Sequence, residues 1–224
     1  MAAIRYEFVS AAINKAFALT DNSIRNDDEK CHEFRKQTIL ADESLTKDEK
    51  SYAIKESAKD LDGYKLLYNR GSKRICENCQ DECLATLFCE HCVRNYLKAN
   101  FSDWTSGNKD IDNLLQTCQM GSIVPYQVVE WIPYNNLLNI RYLTKGGFSE
   151  IYKADWIGGS YIEWDSKEKQ LKRFGGQIVV LKRLENVERA NRNWLEEVFI
   201  KIIDFIFNLI NNKIPFNFYR ENLI

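Results

Sequence analysis

The sequence lacks a net charge of any size: 31 Lys and Arg residues face 32 Asp and Glu residues, leaving −1 at neutral pH. Such a balance exerts no global pull toward nucleic acid or an anionic membrane. A concentrated basic patch is also missing, apart from Lys167, Lys169, Lys172 and Arg173, which read as a solvated loop face. The opening residues contain no unbroken apolar stretch, because Arg5 and Glu7 interrupt it, so no secretory signal is expected. Nor does any apolar run reach the roughly 20 residues that a membrane-spanning helix requires. The longest, residues 198–210, is broken by Lys201, Asp204 and Asn208. Internal repeats are absent too. Together these absences predict a cytoplasmic protein that binds neither nucleic acid nor membrane. In that compartment structural disulfides are disfavoured, so seven cysteines call for metal binding or burial.

What is present is ordinary globular material, with 45% hydrophobic and 28% charged residues over 224 positions. That length allows one domain or two small ones. Residues 1–72 read as a helical region. Val9, Ile13 and Phe17 recur at helical spacing. Thr46 and Glu49 have the spacing of a capping box, and an apolar stripe of Ile54, Ala58, Leu61, Tyr64 and Tyr68 follows, with Gly71 placed to end the helix. Residues 21–42 are charged and weakly periodic. This region predicts a small bundle or hairpin suited to packing and interaction.

Residues 73–104 form a cysteine-rich module. Cys76-x2-Cys79 precedes Cys89-x2-Cys92, two pairs whose thiolates suit tetrahedral zinc. The gap between pairs is shorter than the common 15–20 residues. Cys83 and His91 lie close enough in sequence to replace a ligand, and buried thiols without metal are the alternative. A four-thiolate site leaves no open position for water, so the zinc would be structural. Cys31 and Cys118 read as core thiols. Residues 105–130 continue as a helix and linker, with Ile111, Leu114, Leu115 and Cys118 at helical spacing.

From residue 131 the composition turns aromatic and β-branched, with strand-like runs at 140–143, 150–156 and 177–183. Within them, Thr144-Lys145-Gly146-Gly147-Phe148-Ser149-Glu150-Ile151 resembles the glycine-rich hairpin of eukaryotic protein kinases, and Val179-Val180-Leu181-Lys182 resembles the lysine strand of that family. The resemblance places Gly146 at the second glycine, with Thr144 and Ser149 at the first and third. It implies that Gly146, Gly147 and Ser149 approach ATP phosphates, that Ile151 and Val180 cover the base, and that Lys182 holds the phosphates. Glu197, fifteen residues beyond Lys182, is the implied counterion, ahead of Glu196. Residues 157–177 would be an insertion between the second and third strands.

The same resemblance sets a limit. Both histidines, His32 and His91, precede the glycine hairpin, so no His-Arg-Asp follows Lys182, and Asp204-Phe205-Ile206 lacks the glycine of the magnesium motif. No catalytic residue is therefore assigned. The expected architecture is α+β: a helical N-terminal region, a small cysteine-rich zinc-type module, and over residues 131–198 an incomplete kinase-like N-lobe of antiparallel sheet plus one helix. Residues 199–224 match no kinase pattern and read as an apolar, Asn-rich tail from a truncated or misread gene end. The function implied is weak ATP binding without autonomous phosphoryl transfer. The alternative is a non-enzymatic module that binds a protein partner through the helices and zinc site.

Overall fold

The computed structural model describes residues 3–122, 124–146 and 149–184, and it is an α+β protein. Gly147, Glu197 and the tail 199–224 lie outside the described residues, so the expectations placed on them stay with the sequence. Backbone packing divides the chain into two compact units, with the division between Cys89 and Glu90.

The first unit opens with three helices: α1 (Tyr6–Ala18), α2 (Asp28–Ala41) and α3 (Lys47–Tyr68). Their starts follow from local chemistry. The Asp27 carboxylate accepts from the Lys30 backbone N–H at the head of α2. At the head of α3, Thr46 and Glu49 complete the capping box in both directions. Val9, Ala12, Ala16, Ile39, Leu45 and Ala53 form the core, with Ile13 and Ile54 packed at its edge. The weakly periodic segment 28–41 is thus a full helix, held by only two buried residues, Cys31 and Ile39.

The stripe expected on α3 holds at Ala58, which is buried, and at Ile54, which packs at the core edge, and departs toward its C-terminal end. Its buried positions are Glu49, Ala53, Ser57, Ala58, Asp62 and Lys65, whereas Tyr64 and Tyr68 face solvent and stack on each other with ring centroids 4.5 Å apart. Asn69, in the left-handed region at φ 49°, ends the helix two residues before Gly71. A short antiparallel hairpin, β1 (Arg74–Ile75) and β2 (Glu82–Cys83), completes the unit.

The second unit begins with α4 (Glu90–Ala99) and α5 (Lys109–Gly121). The Asn108 side chain caps α5 by accepting from the N–H groups of Asp110 and Ile111. An antiparallel three-stranded sheet follows, in the order β3 (Leu137–Lys145), β4 (Ser149–Trp156), β7 (Gln177–Leu184). The insertion between β4 and β7 is itself a hairpin, β5 (Tyr161–Asp165) with β6 (Gln170–Arg173). Its turn is set by Asp165, whose carboxylate accepts from the N–H groups of Lys167 and Glu168. Leu171 is buried, and Trp164 meets Tyr96 of α4 edge to face at 5.9 Å.

The basic stretch read as a loop face is therefore split in role. Lys167 and Lys169 sit at the exposed turn, Lys172 pairs with Glu163 and Asp165, and Arg173 is bound to Glu130. No helix among the described residues is long and apolar enough to cross a membrane.

Candidate functional site

The β1–β2 hairpin carries the first cysteine pair in its turn. The Cys76 N–H donates to the Asp81 carbonyl and the Gln80 N–H donates to the Cys76 carbonyl, both at 2.9 Å. Gln80 takes a left-handed φ of 63°, which folds the turn back on itself. Cys89 ends the following loop, and Cys92 lies in the first turn of α4. The sulfurs of Cys76, Cys79, Cys89 and Cys92 all lie within 4.8 Å of one another, with Cys79 and Cys89 3.6 Å apart. Ligands at about 2.3 Å around a tetrahedral ion sit about 3.8 Å from each other, so this spacing fits four thiolates on one metal. Cys76, Cys89 and Cys92 are buried and Cys79 is half-buried, so the group is closed to bulk water on most sides.

Two charged side chains hold the loop that delivers Cys89. Asp62 of α3, fully buried, accepts from the Thr86 N–H and hydroxyl at 2.7 Å and from the Leu87 N–H at 2.8 Å. The Arg74 guanidinium donates to the carbonyls of Ala85 and Phe88. Apart from the Thr86 hydroxyl the partners are backbone atoms, so no spacing rule in the sequence announces them. Of the two other ligands considered, Cys83 forms a separate close group with Cys89 and the Glu90 carboxylate, and His91 belongs to neither group. Cys118 is half-buried, and burial raises its thiol pKa, as suits a packing role.

Of the residues expected to meet a nucleotide, Ile151, Val180 and Lys182 lie on one face of the second unit's sheet. Ile151 of β4 pairs directly with Lys182 of β7, and Lys153 pairs with Val180. Directly paired residues in an antiparallel ladder point to the same side, so Ile151, Val180 and Lys182 share a face with Thr144, the β3 partner of Ile151. That face is open: Val180 is 42% exposed, Ile178 61%, and Lys182 is exposed as well. Gly146 follows β3 at the mouth of the β3–β4 turn, and Ser149 begins β4.

The opposite face is covered, with Ala154 and Trp156 buried. A cavity of about 250 Å³ lies against Trp156, bounded by residues from α4 and α5, the segment 130–136 and the β5–β6 hairpin. None of Gly146, Ile151, Val180 or Lys182 lines it. The Glu130 carboxylate there is bonded to Arg173, whose guanidinium lies 4.0 Å from the Tyr161 ring centroid. Burial pushes the Glu130 carboxyl up from its usual value against the pull of Arg173, and burial with the Glu130 charge pushes the Tyr161 hydroxyl up to about 12. No sequence pattern pointed to this cavity, because its walls come from five separate segments.

No protein-family model, no curated protein and no solved structure matches this chain.

Proposed function

We propose that this is a cytoplasmic zinc-bearing protein whose residues 131–198 are an incomplete protein-kinase-like nucleotide lobe, binding ATP weakly and performing no phosphoryl transfer with these residues alone. The observation that carries the reading is the β4–β7 register, which sets Ile151 beside Lys182 and Val180 two residues along the same face. An ammonium flanked by two aliphatic side chains can meet phosphate oxygens while the aliphatic groups cover a base. Positioning and charge neutralisation dominate phosphoryl-transfer catalysis, and among the described residues the carboxylate on this face is Asp155, the partner of Ile178, which already accepts from the Asn139 amide. Weak binding follows from its openness, since a nucleotide resting on one sheet keeps much of its surface in water.

Zinc is the metal we assign to the four cysteines. Four soft thiolates in a tetrahedral arrangement select it over harder ions, and a closed ligand set makes the site structural. Titration with a fluorescent ATP analogue and magnesium tests the nucleotide reading. Saturable binding that disappears in Lys182→Ala supports it, and no binding in either protein contradicts it.

A second reading rests on the first unit, which exposes Tyr6, Phe8, Leu40, Tyr64 and Tyr68. The helices with their zinc site would then form a protein-interaction module. Partner binding that survives Lys182→Ala and fails on zinc removal favours this reading.

A further inference from the structure

The cavity on the covered side of the sheet has a composition of its own. Trp104, Trp131, Trp156 and Tyr161 give it aromatic walls, and Asn100 and Asn136 bring amide groups from two separate segments. Its only charged residues are Glu130 and Arg173, which are bonded to each other, so the lining carries no net charge. Among the described residues, no partner accepts from the indole N–H groups of the three tryptophans or engages the two asparagine amides. Gln119 is already committed, since its amide donates to the Val129 carbonyl at 2.8 Å.

We propose that this cavity binds one ring of a neutral sugar. A pyranose presents C–H groups on its faces and hydroxyls around its whole rim. The C–H face excludes water against an indole, and the hydroxyls meet donors and acceptors that converge from several directions. The lining residues offer such groups in three indoles and two amides, each amide both donor and acceptor. A quaternary ammonium is disfavoured, although aromatic walls suit one in general. The carboxylate that would face it is already neutralised by Arg173, and the Tyr161 ring is already covered by that guanidinium. An anionic ligand is disfavoured for the matching reason, because Arg173 is spent on Glu130 and on the Gly159 carbonyl.

The site stands apart from Lys182 and does not depend on nucleotide binding. Its test is tryptophan-fluorescence titration and calorimetry of the full chain with glucose, galactose, mannose, N-acetylglucosamine and their β-linked disaccharides. Choline and adenosine are titrated beside them. Saturable binding of at least one neutral sugar is expected, weakened tenfold or more in Trp131→Ala and in Asn136→Ala and unchanged in Lys182→Ala. Trp131 is 37% exposed, so its truncation leaves the fold standing, and circular dichroism of both variants checks this. The proposal is overturned by no sugar binding, by sugar binding that both cavity variants retain, or by choline or adenosine taking the cavity in place of the sugars.

Discussion

Glu49 shows how much one side chain can organise. Its carboxylate accepts from the Arg5 guanidinium at 2.8 Å through each oxygen and from the Thr46 N–H at 2.8 Å, tying the start of α1 to the start of α3. The Arg5 bonds, then those from Thr46, hold its pKa far below the usual 4.5. A depressed carboxylate contributes stability that is whole above its unfolded pKa and lost as pH falls toward the folded one. Wild type should therefore melt above Glu49→Gln at pH 7, with the gap closing progressively below about pH 4.5. Melting curves across pH 7 to 3 measure it; a constant gap would mean that the charge is not what stabilises. Asp62 makes the parallel case for the cysteine loop. Replacing it with Ala leaves the Thr86 and Leu87 N–H groups without their acceptor, a cost of about 1–3 kcal/mol. Urea unfolding of the zinc-loaded protein reads that cost, and zinc should dissociate faster from the variant. The capping box was legible because its partners are three residues apart. Asp62 was not, because its partners, mostly backbone groups, lie 24 and 25 residues away.

At the scale of elements, periodicity succeeded where apolar and buried coincide and failed where they part. On α1 the expected Val9, Ile13 and Phe17 lie on or beside the buried Val9, Ala12 and Ala16. On α3 the tyrosines look out and Ser57, Asp62 and Lys65 look in, so hydropathy alone rotates the helix. The three sheet strands were legible from their β-branched runs. The β5–β6 hairpin was not, because Tyr161–Asp165 mixes acidic and apolar residues without a β-branched run and the lysine-rich turn after it has the composition of a solvated loop. One glycine of that hairpin is sterically demanded. Gly159 has φ +61°, and a Cβ there would lie 2.0 Å from the Gly175 carbonyl oxygen. Gly159→Ala should destabilise the second unit by about 1–3 kcal/mol or more, seen as a lower denaturation midpoint, whereas Gly107→Ala meets no atom within 4 Å and is strained only by its φ of +82°. The cysteine pairs were legible from spacing alone. Their prediction is one zinc per chain by elemental analysis, with Cys92→Ser or a chelator exposing the amides of β1, β2 and the first turn of α4 to hydrogen exchange. A chain that keeps its protection without metal would show the thiols to be packing residues.

For the molecule as a whole, the α+β architecture was readable and the placement of cavities was not. Sequence motifs mark residues near each other in the chain, and the glycine hairpin and lysine strand are of that kind. The aromatic cavity is assembled from α4, α5 and three later segments, so only the folded chain reveals it. The consequence is a protein with two dissimilar surfaces on its sheet: an open, aliphatic face bearing Lys182, and a covered face backed by tryptophans.

The measurement that bears most directly on the account is a ¹H–¹⁵N correlation spectrum recorded during titration with magnesium–ATP. The amides of Ile151, Val180 and Lys182 should shift together and saturably, while the indole signals of Trp104, Trp131 and Trp156 stay in place. Shifts confined to the indoles, or none at Lys182, would contradict it.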